Sequence, residues 1–157
     1  MTIEIERRFL IKNTKWEKLV HKKSDILQGY LSSNSDGWIV RIRFQNNKFV
    51  LTLKKHLKNS TNLEFEYVIP NKEGEIIFSK IKKPIIKERF YLLLNKKTWI
   101  IDRFKGDNSP LEIAEIELTS IDEVIELPTF LSKEITGEKK FSNFDLYNKP
   151  FSTWDKI

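Results

Sequence analysis

The sequence predicts a mostly β protein of the α+β class: eight antiparallel strands able to close into a barrel, with helices packed outside. Three observations predict it. Eight segments alternate apolar and polar residues at period 2, the repeat of a strand whose side chains point to opposite faces. Short connections join most of them, which suits an antiparallel order. Eight strands can also close on themselves and so remove exposed sheet edges. The 157 residues are read as one domain over 1–157, large enough for a core without staples.

The first strand runs through Glu4 to Leu10. Ile3, Ile5 and Phe9 alternate with Glu4, Glu6 and Arg8, which puts three charges in a row within about 14 Å on one face. Asn13 or Thr14 is placed to cap a short helix over Lys15 to Lys22, with Trp16, Leu19 and Val20 inward. Ile26 to Leu31 is a second strand with Gln28 and Tyr30 on one face. Asn34 to Gly37 is a turn. Trp38 to Phe44 sets Ile39, Arg41 and Arg43 opposite Trp38, Val40, Ile42 and Phe44. Asn46-Asn47 makes a hairpin turn whose type is not fixed without a glycine, and Phe49 to Lys55 returns with Val50, Thr52 and Lys54 on one face.

His56 to Asn62 is a polar loop. Leu63 to Ile69 carries Glu64 and Glu66 opposite Leu63, Phe65 and Tyr67, and Pro70 ends it. Lys72 to Lys83 is a helix stopped at Pro84. Ile85 to Leu94 carries Lys87 and Arg89 on one face. Thr98 to Phe104 carries Ile100 and Asp102, and Leu111 to Leu118 carries Glu115 and Glu117. The tail holds short helical or irregular pieces and a last helix over Ser142 to Tyr147. No repeat, linker or low-complexity segment interrupts the chain.

The formal charge of +6, from 28 basic and 22 acidic residues, points to an anionic partner. Lysines outnumber arginines 22 to 6, yet Arg8, Arg41, Arg43 and Arg89 lie in strands beside other charges. A guanidinium matches a phosphate with two parallel hydrogen bonds, whereas an ammonium acts as a point charge. The arginines therefore suggest a shaped phosphate site rather than a nucleic-acid surface. Lysine runs such as Lys82-Lys83 and Lys96-Lys97 read as solvated faces. There is no cysteine, and His21 and His56 stand alone, so no zinc site is formed. No apolar run reaches the roughly 18 residues of a membrane span and no signal peptide is visible. The expected location is the cytoplasm.

On one parity the strands repeat Glu-x-Glu, Arg-x-Arg, Glu-x-Glu, Lys-x-Arg and Glu-x-Glu. This face is either solvated or the lining of a water-filled barrel. The balance of signs and the large residues on the opposite parity make the second reading as strong as the first.

In order, the chain has Glu4-Ile5-Glu6-Arg7-Arg8, Gly29-Tyr30-Leu31, Val40-Arg41-Ile42-Arg43, Leu51-Thr52-Leu53-Lys54 and Glu64-Phe65-Glu66. Lys87-Glu88-Arg89, Ala114-Glu115-Ile116-Glu117-Leu118 and the stretch from Ile135 to Asn143 follow. This set resembles the CYTH superfamily, also called triphosphate tunnel metalloenzymes, over nearly the whole chain. The resemblance implies a closed eight-stranded tunnel with a charged interior. It implies Mg²⁺ or Mn²⁺ held by Glu4, Glu6, Asp102, Glu115 and Glu117, and a phosphate chain held by Arg8, Arg41, Arg43, Lys54, Lys87 and Arg89. Glu64 and Glu66 are expected to partner arginines within the barrel rather than bind metal. The resemblance also implies a catalytic dyad of Tyr30 and Lys54, the lysine pKa falling because arginines crowd it. Arg8 departs from the family's Glu-x-Glu-x-Lys signature and excludes a neutral amine there.

The expected activity is metal-dependent hydrolysis of a triphosphate-containing small molecule, inorganic tripolyphosphate first. A class IV adenylate cyclase acting on ATP is the alternative within the family. A non-catalytic module for polyphosphate or RNA ends is the alternative outside enzymes. Neither a membrane nor a specific nucleic-acid partner is expected, and the sequence leaves the oligomeric state open.

Overall fold

A computed structural model describes residues 2–33 and 37–155. The proposed turn at 34–36 lies outside them. The strands are β1 (Ile3–Ile11), β2 (Val20–Ser33), β3 (Trp38–Gln45), β4 (Lys48–Lys58) and β5 (Thr61–Ile69), followed by β6 (Ile85–Leu94), β7 (Lys97–Phe104), β8 (Glu112–Glu117) and β9 (Leu131–Glu134). Two helices accompany them, α1 (Asn71–Phe78) and α2 (Asn143–Asn148). The sheet runs β5-β4-β3-β2-β6-β7-β8-β1-β9, and β1 also pairs with β5. Strands β1 to β8 thus close into an eight-stranded barrel, antiparallel throughout.

β1 is the seam. Ile3 to Ile5 pair with β5, and Phe9 and Ile11 pair with β9. The other edge of β1 pairs with β8 from Glu6 to Leu10. Two-residue turns with positive φ join the long hairpins. Asn46 and Asn47 (φ 53° and 60°) link β3 to β4, and Asn95 and Lys96 (φ 50° and 63°) link β6 to β7. Positive φ at both central positions matches the right-handed twist of the flanking strands. This settles the Asn46-Asn47 type without a glycine.

Apolar side chains face outward. Phe9, Leu92, Trp99, Ile101, Ala114 and Ile116 form a buried cluster covered by Trp16, Leu118, Phe130 and Leu131. Across the barrel, α1 lies on β3 and β4. Its Gly74 packs so closely that a Cβ there would stand 2.2 Å from Phe49 Cγ. A second cluster closes one end of the barrel. Ile85, Phe104, Leu111 and Ile113 meet Ile135, Phe141 and Leu146, with Tyr30, Tyr147 and Trp154 against them. Among the described residues no helix is long and apolar enough to cross a membrane.

Three expected elements differ, and one strand is additional. The helix over Lys15 to Lys22 is a single 3-10 turn at Glu17–Leu19, because the chain from Val20 onward pairs with β6. The helix expected to reach Lys83 stops at Phe78. The loop over His56 to Asn62 shrinks to Asn59 and Ser60 as β4 and β5 extend along each other. β9 was unexpected, since Leu131–Glu134 is too short and polar to show a period. The last helix forms as expected, with Ser142 Oγ accepting from Asp145 N.

Candidate active site

Antiparallel partners share a face, so register decides which charges meet inside the barrel. β1 and β8 bring Arg8 opposite Glu115 and Glu6 opposite Glu117. β6 and β7 bring Arg89 opposite Asp102. β4 and β5 set Lys54 opposite Glu64, and β2 and β3 set Tyr30 opposite Arg41 and Gln28 opposite Arg43.

One carboxylate oxygen each from Glu4, Glu6 and Glu115 falls within 4.8 Å of the others. Burial raises the pKa of Glu6 well above the usual carboxylate range, and Glu115 adds to it. Burial raises Glu4 too, against the attraction of Lys54. Arg89 and Arg8 overcome burial at Glu115 and hold it down to about 2. Three hard oxygen donors, two of which resist ionising beside the third, suit a divalent cation such as Mg²⁺ or Mn²⁺. Glu4 Oε2 is buried and has no aligned hydrogen-bond donor, its nearest cation being Lys54 Nζ at 3.0 Å. Glu117 is exposed and stands outside this trio, its pKa raised by partial burial and then by Glu4.

Asp102 does not join the trio. It is buried, with Oδ2 accepting from Lys87 Nζ at 2.7 Å and both oxygens accepting from Arg89 at 2.8 and 2.9 Å. Burial opposes its charge, but Arg89 and Lys87 win and lower its pKa strongly. Asp102 is thus the counter-ion of two phosphate-binding candidates.

Lys54 corrects an expectation. Its neighbours are carboxylates, not arginines: Glu4 at 3.0 Å, Glu64 at 3.5 Å and Glu6 at 4.0 Å. Burial works against the ammonium, yet Glu6, Glu4, Glu64 and Glu115 outweigh it and raise the pKa. The depressed amine of the barrel is Lys87, lowered by burial and by Arg89 and Arg43 against the pull of Asp102. Among the described residues no hydrogen bond joins Lys54 to Tyr30, whose hydroxyl instead accepts from Gln28 Nε2 at 3.1 Å.

The arginines divide by partner. Arg8 Nε stands 3.6 Å from Glu115, and Nη1 donates to the Phe141 carbonyl at 3.0 Å. Arg41 Nη2 donates to Thr52 at 3.0 Å and to Glu66 at 3.4 Å, while its buried Nε has no partner. Arg43 Nε donates to Gln28 Oε1 at 2.9 Å and meets no carboxylate among the described residues. Glu66 partners Arg41, as expected, whereas Glu64 partners Lys54 rather than an arginine. Sequence reasoning passed over Gln28, Thr52 and Asn143. Strand parity had set the first two on faces with Tyr30 and Lys54, but they were given no role there. Two outer grooves, lined by residues such as Lys15 and Phe130 or Arg103 and Pro110, lie away from these charges.

A closed antiparallel barrel lined by arginines, lysines and a carboxylate trio defines a class built to hold a polyanion beside a divalent cation. The CYTH domain family model matches residues 2–145, and the chain belongs to this family. It is 34% identical over 153 residues to an inorganic triphosphatase of Acetivibrio thermocellus, covering 96% of this chain and 97% of that one. It is 27% identical over 144 residues to an inorganic triphosphatase of Nitrosomonas europaea, covering 89% and 93%. The crystal structure of an inorganic triphosphatase superposes with a TM-score of 0.65 at 27% identity, covering 94% of this chain and 95% of that one.

Proposed function

We propose that the chain is a single-domain, divalent-metal-dependent hydrolase of triphosphates acting on inorganic tripolyphosphate. The relatives named inorganic triphosphatase support the reaction class. The observation that carries the reading is the trio of Glu4, Glu6 and Glu115 facing arginines whose donors are not all used. A water oxygen attacks the terminal phosphorus, the bond to the bridging oxygen breaks, and orthophosphate and pyrophosphate leave.

Glu4, Glu6 and Glu115 would hold Mg²⁺ or Mn²⁺, which when bound supplies charge neutralisation and polarisation of a phosphoryl group. Arg41 and Arg43 grip phosphate oxygens with N–H donors of their guanidinium groups, and Arg89, whose Nε and Nη2 are held by Asp102, offers Nη1. Arg8 and Lys87 add charge from the closed end of the barrel, where each already touches the C-terminal segment. Lys54 keeps its proton and serves as the cation that balances Glu4 and Glu64. Tyr30 accepts from Gln28, so its own O–H remains to donate to a phosphoryl oxygen. Glu117, at the exposed side of the trio, adds negative potential that draws the cation in.

The test is a panel of triphosphates with Mg²⁺ or Mn²⁺, scored for released phosphate, pyrophosphate and cyclic AMP. Phosphate from tripolyphosphate is the expected product. Cyclic AMP from ATP, with tripolyphosphate untouched, would replace the hydrolase reading with the cyclase one.

A further inference from the structure

Gln28 is fully buried in a barrel lined by charges, and every polar atom of its amide is engaged. Oε1 accepts from Arg43 Nε at 2.9 Å. Nε2 donates to Tyr30 Oη at 3.1 Å and to Asn143 Oδ1 at 3.3 Å. The same Asn143 oxygen accepts from Lys87 Nζ at 2.9 Å. Asn143 opens α2, whose neighbours Phe144 and Tyr147 pack on the Tyr30 ring at 5.3 and 5.4 Å between centroids. One neutral side chain therefore touches a phosphate-binding arginine, the candidate catalytic tyrosine and the helix that closes the barrel.

We infer that Gln28 is a positioning residue for substrate: it fixes the Arg43 guanidinium through Nε without neutralising it, and ties that arginine to α2. The inference rests on the proposed binding of tripolyphosphate. Among the described residues Arg41, Arg89, Lys54 and Lys87 each form an ion pair with a carboxylate within 4.0 Å, whereas Arg43 forms none and is held by this amide. Burial and the like charges of Arg41 and Arg89 outweigh the pull of Asp102 and lower the Arg43 pKa to about 9, which leaves it still charged at neutral pH. Its full charge is then open to an anion. A carboxylate in place of the amide would hold the guanidinium equally well but quench it.

That distinction gives the test. Gln28→Glu keeps the volume, and Gln28→Ala removes it. A packing role makes the alanine the worse variant. The positioning role makes the glutamate worse, with KM for tripolyphosphate raised about tenfold or more, the scale of a lost charge-assisted hydrogen bond. The alanine raises KM by a smaller factor, and kcat changes less than KM in both. On an Arg43→Ala background, Gln28→Ala has less than about a twofold further effect, because residues acting as one unit are non-additive. Calorimetric binding of tripolyphosphate with Ca²⁺, and thermal midpoints, accompany the kinetics. Equal additive losses on both backgrounds, or a glutamate variant that binds better than the alanine, overturn the inference. Wild-type protein that fails to bind tripolyphosphate overturns the proposed function itself, and this inference with it.

Discussion

Lys54 Nζ lies 3.0 Å from Glu4 Oε2, and two further glutamates stand within 4.0 Å of the same nitrogen. A lysine so placed is a counter-cation. Its expected substitution pattern follows from charge: Lys54→Arg keeps turnover of tripolyphosphate within about tenfold of wild type, since a guanidinium remains charged. Lys54→Ala leaves Glu4 and Glu64 to repel the substrate and raises KM. Steady-state kinetics decide it. A fall in kcat of about 10²-fold or more for Lys54→Arg, with KM unchanged, would return the general-base role to this amine.

Metal dependence separates the carboxylates. Mg²⁺ or Mn²⁺ should raise the thermal midpoint of the wild-type protein, because a ligand that binds only the folded state stabilises it. Glu4→Gln, Glu6→Gln and Glu115→Gln should each abolish that rise and most of the phosphate release. Glu117→Gln should weaken both only partly, since Glu117 is exposed and lies outside the trio. A midpoint shift that survives in Glu115→Gln but vanishes in Glu117→Gln would move the cation outward along β8.

The barrel was legible in the sequence because charge and apolarity alternate with one parity through Glu4-Glu6-Arg8, Arg41-Arg43, Lys87-Arg89 and Glu115-Glu117. Period 2 survives any barrel tilt, so faces could be assigned without knowing register. Register itself was not legible, and it decides partners. Lys54 meets glutamates rather than arginines because β4 pairs with β5 at Glu64 and β1 closes on β5 from Ile3 to Ile5, with Glu4 between them. Asp102 meets Arg89 directly across β6 and β7. β9 and the contacts of Asn143 are long-range, set by where the tail folds back, and leave no local pattern. The 3-10 turn at Glu17 replaces a helix because β6 offers Val20 a pairing edge that no propensity records.

The pH dependence of stability in the metal-free protein follows from Glu4 and Glu6, whose folded pKa values lie above the ordinary 4.5. The folded state holds these protons more tightly than the unfolded chain. That contribution is complete below about pH 4.5 and is lost as pH rises through the folded values. Asp102 and Glu115, shifted downward, act in the opposite sense and lose theirs on acidification. Glu6→Gln isolates the first effect. In excess chelator its thermal midpoint, relative to wild type, should climb as pH rises above the ordinary 4.5. A difference that stays flat across that range would show that Glu6 ionises normally.

Asp102 can be tested as a counter-ion against the expectation that it binds metal. Its two oxygens hold Lys87 and Arg89 in a site that leaves Asp102 4% exposed and Lys87 1%. Asp102→Asn keeps the shape but removes the charge, so two buried cations lose their partner. Breaking such a buried group costs about 3–5 kcal/mol, which for a domain of this size lowers the thermal midpoint by roughly 10 °C. Because the carboxylate oxygens that converge are those of Glu4, Glu6 and Glu115, the midpoint rise caused by Mn²⁺ should survive in Asp102→Asn. Lys87→Met added to Asp102→Asn should recover part of the lost stability, since one unpaired charge is then gone. The opposite pattern is a variant as stable as wild type that no longer responds to Mn²⁺. That result would make Asp102 a metal ligand and require its carboxylate to leave Lys87 when the cation binds.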